Sequence, residues 1–253
     1  SLSKAEKNNV KKHVLNQTTK LLFLAPETIN KKECIDFLKN CQISFFAVDE
    51  AHCISEWGHD FRPDYKKLKI TLNYFNTKPI IALTATATEK VKIEIEKSLG
   101  IENSKLFISS FNRPNLYYEI HNKKELNKNI IKFIKKRHNQ SGIIYCLARK
   151  KAEEISELLN LNNITSLPYH AGLDSATRIN TQDAFLMQKV NVIVATIAFG
   201  MGIDKPDVRY VIHYNLPKSL ENYYQETGRA GRDGGDGHCL LFYGNDDVEK
   251  FQN

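Results

Sequence analysis

Residues 45–52 read Phe-Phe-Ala-Val-Asp-Glu-Ala-His, an apolar run that ends in two adjacent acids. The run 43–48 reads as a strand buried on both faces. Asp49 and Glu50 then fall where that strand leaves its sheet, the edge at which open α/β folds bind ligands. Asp49 is placed to hold a hydrated Mg2+. Glu50 is placed to orient and deprotonate a water attacking a terminal phosphate, since phosphoryl transfer is mostly positioning and charge neutralisation. The competing reading is a helix N-cap with an acidic first turn, which accounts for both acids without a metal.

Outward from this stretch, residues 20–25, 79–83, 142–146, 191–195, 208–214 and 238–242 are further short runs rich in Val, Ile, Leu and Phe. Helical patterns lie between most of them, and such alternation predicts an α/β fold with parallel sheets wrapped by helices. Val91, Ile95 and Leu99 mark one amphipathic helix, and Ile155, Leu158 and Leu159 mark another. Asp174 is the expected N-cap of a helix running to Met187. Residues 109–115, Ser-Ser-Phe-Asn-Arg-Pro-Asn, interrupt the periodic pattern and place a domain border there. The expected division is 1–108, a linker 109–116, and 117–253. Residues 233–237, Asp-Gly-Gly-Asp-Gly, predict a tightly turned or mobile loop.

The 253 residues are 42% hydrophobic and 26% charged, which is globular rather than disordered and leaves room for two ordinary α/β cores. A net charge of +7 and a pI near 9.0 favour a polyanionic partner, although the lysines are scattered rather than massed in a tail. The five cysteines contain no Cys-x-x-Cys pair, and Cys146 sits in an apolar strand pattern. Buried thiols in a reducing compartment are expected, with no zinc site in this chain. There is no run of about eighteen apolar residues and no charged-then-apolar leader, so neither membrane spanning nor secretion is expected. The cytoplasm, in a bacterium shared with the nucleoid, is the expected compartment.

Residues 53–65 read Cys-Ile-Ser-Glu-Trp-Gly-His-Asp-Phe-Arg-Pro-Asp-Tyr, concentrating the chain's one tryptophan, Trp57, with His59, Phe61, Arg62 and Tyr65. Aromatics interleaved with a cation make a stacking surface for single-stranded bases, each stack worth roughly 1–3 kcal/mol. The alternative is that Trp57 and Phe61 anchor the loop to the core. Thr84 and Thr86 end another apolar run; they either hydrogen-bond toward the acids or a second lobe, or cap the helix that starts near Thr88.

Residues 225–233 read Gln-Glu-Thr-Gly-Arg-Ala-Gly-Arg-Asp. Arg229 and Arg232, three apart with small residues between, can project together. The guanidinium fork suits phosphate oxygens, and a finger on a terminal phosphate changes rate by about 10³–10⁵. The competing reading pairs these arginines with Glu221, Glu226 or Asp233. In 196–204, Thr-Ile-Ala-Phe-Gly-Met-Gly-Ile-Asp, the glycines suit close approach of backbone to a ligand. Thr196 is a candidate phosphate contact, Gly202 a candidate cofactor contact, and Asp204 a candidate ribose or inter-lobe contact. Asn112, Arg113 and His170 are candidate nucleic-acid backbone contacts.

With these residues in view, the chain resembles a RecQ-type DNA helicase of the larger two-lobed helicase superfamily. Matching stretches run in order at 22–27, 48–65, 82–87, 111–115, 142–146, 169–173, 194–204 and 223–234. The most specific are Asp-Glu-Ala-His-Cys-Ile-Ser-Glu-Trp-Gly-His-Asp-Phe-Arg-Pro and Gln-Glu-Thr-Gly-Arg-Ala-Gly-Arg-Asp-Gly. The resemblance implies two RecA-like parallel-sheet lobes, the first incomplete, with ATP and Mg2+ as cofactors. It implies a motor moving 3′ to 5′ on single-stranded DNA and acting on DNA junctions in repair and recombination. By residue, Asp49 would hold Mg2+, Glu50 would activate water, and His52 would relay nucleotide state to Trp57, Phe61 and Arg62. Gln225, Arg229 and Arg232 would come from the opposite lobe, with Arg232 the first choice of finger and Arg229 the second.

The sequence also departs from the family pattern. No Gly-Lys-Ser or Gly-Lys-Thr occurs, so the phosphate-cradling loop is missing, and with it the adenine-reading segment. Residues 1–108 are then expected to show unpaired strand edges, and the chain to be a portion of a longer protein that turns over no ATP by itself. Zinc is expected only in a four-cysteine module beyond Asn253. The alternative function is a hydrolysis-deficient nucleic-acid-binding fragment; an RNA helicase is disfavoured by the Trp57 loop.

Overall fold

The computed structural model describes residues 2–58, 60–200, 203–244 and Asp247. The chain divides into two units, Ser1–Ile108 and Ser109–Asn253.

In the first unit, α1 (Lys4–Leu15) starts at a capping box: Ser3 Oγ accepts from the Glu6 amide, and the Glu6 carboxylate accepts from the Ser3 amide. α2 (Pro26–Ile29) and α3 (Lys32–Leu38) lead to β1 (Phe46–Val48) and a 3-10 turn, Ala51–Ile54. α4 (Pro63–Lys66), α5 (Leu68–Leu72), β2 (Ile80–Ala82) and α6 (Glu89–Leu99) follow. β1 and β2 run parallel, with Phe46 opposite Ile80 and Val48 opposite Ala82. α6 turns Val91, Ile95 and Leu99 onto a core that includes Ile29, Leu38, Val48, Ile54, Leu68 and Leu72. Each such side chain contributes about 1.5–3 kcal/mol on burial.

Two expectations fail in this unit. The stretch 20–25 is not a strand: Leu22 and Leu24 pack against the core while Leu21 and Phe23 are exposed, and the sheet contains only β1 and β2 among the described residues. Its alternating pattern gave an apolar signal without a ladder partner. Nor is 43–48 buried on both faces. Phe45 and Ala47 are exposed, as is Ile81 opposite Ala47, because this strand pair sets one face on the core and period-two alternation leaves the other uncovered.

The second unit is built on β3 (Leu116–Asn122), α7 (Leu126–Lys135), β4 (Ser141–Tyr145), α8 (Arg149–Leu161), β5 (Ser166–Tyr169) and α9 (Ser175–Leu186). β6 (Val192–Ala195), β7 (Val208–His213), α10 (Leu220–Thr227) and β8 (Gly237–Tyr243) complete it. The strands form one parallel sheet in the order β3-β8-β7-β4-β6-β5. Both faces of its centre are covered. Ile143 and Tyr145 face a cluster with Phe185, Phe199 and Val211, while Ile144 and Cys146 face another with Ile130, Ile155 and Ile212. This is why these strands read as unbroken apolar runs. The Asp174 carboxylate caps α9 by accepting from the Thr177 amide at 2.9 Å.

β3 and β5 are edge strands that the apolar pattern did not mark. Tyr117, Tyr118 and Ile120 of β3 are exposed, and β5 contains Pro168, which an edge tolerates because its missing N–H costs no ladder bond. The loop 233–237 is a tight turn, with Gly234 at φ 82° and the Asp233 carboxylate accepting from the Gly235 amide at 2.9 Å. All five cysteines are free. Burial pushes the Cys53, Cys146 and Cys239 thiols up to about 12. Among the described residues no helix is long and apolar enough to cross a membrane.

Candidate active site

β1 delivers Asp49 and Glu50 at its C-terminal end, and the backbone there is unusual. Glu50 sits in the left-handed region at φ 49°, ψ 42°, which costs an L-residue roughly 1–2 kcal/mol. No side chain caps the 3-10 turn that follows, so the cap reading of the two acids is not met. Asp49 is exposed, and one of its oxygens accepts from the Glu50 amide at 2.9 Å. An exposed carboxylate suits a hard cation that keeps most of its water. Among the described residues no group of three or more His, Cys, Asp or Glu is arranged to hold a metal.

His52 is 2% exposed, with Nδ1 3.4 Å from Glu50 Oε2 and 2.9 Å from Thr84 Oγ1 at the end of β2. The acid, the imidazole and the hydroxyl are thus one connected group. Thr84 Oγ1 also accepts from the Thr86 amide at 3.3 Å, and the Thr86 hydroxyl is buried without a partner. Capping of α6 falls to Thr88, whose hydroxyl accepts from the Val91 amide, so the cap alternative for Thr84 and Thr86 is overturned.

The loop after the turn is fastened at its base and open at its tip. Ser55 Oγ donates to Glu94 Oε2 on α6 at 2.5 Å and accepts from the Trp57 amide at 3.1 Å. The Trp57 ring is 68% exposed, with Lys90 Nζ 3.1 Å from its centroid. Phe61 is also exposed, with Lys66 Nζ 5.2 Å from its ring. Neither ring is a core anchor. Arg62 donates from Nε and Nη2 to Asp60 at 3.1 and 2.6 Å, and the bond to Asp60 raises the Arg62 pKa. Sequence reasoning missed Glu94 and Lys90, which carry no local motif and matter only because α6 passes beneath the loop. His59 lies outside the described residues.

In the second unit the strand ends of β4, β6 and β7 and the helix α10 gather the remaining candidates. Arg229 Nη1 donates to the Gly200 carbonyl; a Cβ at Gly200 would lie 2.4 Å from Arg229 Nη2, so a larger residue there would have to displace the guanidinium. Tyr145, buried, donates to the Phe199 carbonyl at 2.8 Å in the same loop. Arg232 uses Nη1 for both its bonds, to the Ile203 carbonyl at 3.1 Å and to Asp204 Oδ1 at 3.2 Å. Asp204 is largely exposed. Two of the three acids offered as partners against a phosphate role pair elsewhere: Asp233 binds Arg209, and Glu226 binds the buried His213 at 2.6 Å. Gln225 lies part-buried on α10. The Thr196 amide donates to the Tyr169 carbonyl at 3.1 Å, closing the end of β6. Gly202 lies outside the described residues.

Two candidates for nucleic-acid contact are otherwise engaged. His170 is 4% exposed; its Nδ1 accepts from the Gly172 amide at 3.2 Å, so its Nε2 carries the proton that faces Glu153 at 3.0 Å. Both ring nitrogens are engaged within the unit. Arg113 is likewise turned inward, donating to the Ala230 and Gly231 carbonyls at 3.2 and 2.7 Å. Asn112 remains exposed.

A DEAD/DEAH box helicase model matches residues 1–93 and a helicase conserved C-terminal domain model matches 123–234. The chain is 44% identical over 238 residues to the ATP-dependent DNA helicase RecQ of Pasteurella multocida, covering 94% of this chain and 38% of that protein. It is 48% identical over 242 residues to the RecQ-like DNA helicase BLM of Xenopus laevis, covering 92% of this chain and 18% of that one. The chain therefore spans well under half the length of these relatives. Among solved structures, Saccharomyces cerevisiae Dbp5 bound to RNA and ADP BeF3 matches with a TM-score of 0.67 at 21% identity, over 90% of this chain and 60% of that one. At that identity the likeness speaks for the fold: RecA-like α/β, with a small first sheet. The chain thus has RecQ-family helicases as homologues at 42–48% identity over most of its length and carries the DEAD/DEAH box and helicase C-terminal domains.

Proposed function

We propose that this chain contributes the acidic and the arginine halves of an ATP-dependent DNA helicase within a longer protein. Residues 1–108 are the C-terminal part of the first RecA-like lobe, 109–116 the linker, and 117–253 the second lobe. The complete protein moves 3′ to 5′ on single-stranded DNA and opens DNA, junctions included, in repair and recombination, working in the cytoplasm or nucleoid. What carries the reading is Glu50: a non-glycine residue kept in the left-handed region directly after Asp49, its carboxylate 3.4 Å from a buried histidine. Strain of that kind is retained where the surroundings hold a group for chemistry.

Magnesium bound with ATP supplies charge neutralisation at the phosphates, and the exposed Asp49 carboxylate fits it. Glu50 orients the attacking water and takes its proton. Arg232, with Arg229 behind it, steadies charge on the departing phosphate, and Gln225 lies one turn away from Arg229 on the approach to the same segment. His52, bonded to Thr84, passes the state of Glu50 toward the Trp57 loop, where bases stack on Trp57 and Phe61 with Arg62 beside them. Lobe closure on ATP and release on hydrolysis convert alternating grip into stepping.

The test is ATP turnover by the complete protein with single-stranded DNA, with RNA and with neither. DNA is expected to stimulate strongly and RNA weakly. Equal stimulation by RNA overturns the DNA assignment, and absence of turnover favours a binding protein without hydrolysis.

A further inference from the structure

The segment by which the chain enters the second unit is bonded to the turn that carries Arg232. Arg113 donates from Nη2 to the Ala230 and Gly231 carbonyls at 3.2 and 2.7 Å. Asn115 donates from Nδ2 to the Gly231 and Gly235 carbonyls at 3.0 and 2.7 Å, and its own carbonyl accepts from the Gly237 amide at 2.8 Å. Arg113 Nε in turn donates to Asn115 Oδ1 at 3.4 Å. Four side-chain bonds therefore converge on carbonyls that bracket Arg232 on both sides.

The turn is shaped around this clamp. Gly231 sits at φ 56°, and a Cβ there would lie 2.3 Å from the Gly235 carbonyl oxygen and 2.5 Å from Asn115 Nδ2. The Gly231 amide is tied to the Val208 carbonyl at 2.8 Å, so the turn is held from β7 on one side and from 113–115 on the other. Arg113 Nη2 serves both carbonyls while Nε holds Asn115, so the rigid guanidinium fixes the turn and the Asn115 amide in one geometry, which the single nitrogen of a lysine does not reproduce.

We propose that Arg113 and Asn115 are positioning residues that set where Arg232 points, rather than contacts to nucleic acid. This rests on the reading of Arg232 as the group that steadies phosphate charge. Residues 113–115 lie near the start of the second unit, which begins at Ser109, so the first residues of that unit hold the turn that carries Arg232. A displaced catalytic group costs about 10²-fold in rate for a shift near 1 Å.

The experiment compares Arg113→Ala, Arg113→Lys, Asn115→Ala and Arg232→Ala in the complete protein, reading kcat and KM for ATP, single-stranded DNA affinity, and hydrogen exchange at the Gly231, Gly234 and Gly237 amides. Arg113→Ala is expected to lower kcat by about 10²-fold, with KM within about threefold. DNA affinity should stay unchanged and exchange should quicken at those three amides. Arg113→Lys should recover part of kcat, and it carries the test if the alanine variant does not fold. Unchanged kcat in Arg113→Lys and Arg113→Ala, or a loss of DNA affinity in place of kcat, overturns the proposal while Arg232 keeps its role. Full turnover in Arg232→Ala overturns both.

Discussion

His52 Nδ1 and Thr84 Oγ1 meet at 2.9 Å, joining the ends of two adjacent parallel strands across 32 residues of sequence. Because His52 is buried and also faces Glu50, any movement of the acid is felt at the end of β2. Replacing Thr84 by Val keeps the shape and removes the hydroxyl, so the buried imidazole loses the Nδ1–Oγ1 bond while still facing Glu50. A loss of about 1–3 kcal/mol is expected, with Thr84→Ser keeping most of the stability. Urea unfolding checks this; a Val variant as stable as the parent means the bond contributes nothing.

The left-handed backbone at Glu50 reverses an ordinary ranking. On regular backbone Gly is less stable than Ala by roughly 0.5–1 kcal/mol, but at φ 49° an alanine retains strain of roughly 1–2 kcal/mol that glycine lacks. Glu50→Gly is expected to be at least as stable as Glu50→Ala. Thermal melting of the two variants decides it, and a clearly more stable alanine variant would show that the strain is absent.

Trp57 lies open except for Lys90 over its ring. With stacking worth roughly 1–3 kcal/mol per base, Trp57→Ala in the complete protein should weaken single-stranded DNA binding and abolish DNA stimulation while leaving basal ATP turnover. Normal stimulation by DNA would remove the loop from its sensing role.

The parallel core strands were legible in the sequence because burial on both faces makes the run itself apolar, as at Ile143, Ile144, Val192 and Ile193. The place of Asp49 and Glu50 at the end of β1 was legible from the apolar run before them, although that strand buries one face only. Edges were not legible: Pro168 and the exposed Tyr117 and Tyr118 erase the pattern, and the apolar 20–25 imitates a strand that finds no partner. Long-range polar bonds were also hidden. Nothing local in Arg113 says that its guanidinium turns to Ala230 and Gly231, 117 and 118 residues away, and the same holds for Glu94 under Ser55.

The turn that holds Arg232 also carries a pH signature. The Arg209 guanidinium, aided by the Gly235 amide, holds the Asp233 carboxyl down to about 2, from an ordinary value of 3.8. A lowered folded-state pKa means the interaction is fully present above the ordinary aspartate range and is lost as pH falls through about 2. In Arg209→Ala the Asp233 carboxyl should titrate at a higher pH. Carboxyl NMR titration checks this, and a midpoint that stays near 2 would leave the guanidinium without its assigned effect.

The proposed function requires Glu50 and Arg232 both to serve ATP turnover in the complete protein. The direct measurement is DNA-stimulated ATP turnover by the complete protein carrying Glu50→Gln, Arg232→Ala, and both. Each single variant is expected to lose about 10³-fold or more with ATP still bound, and the double variant to lose little beyond that, because groups that act as a unit are not additive. Turnover retained in either single variant, or losses that multiply fully in the double variant, would contradict it.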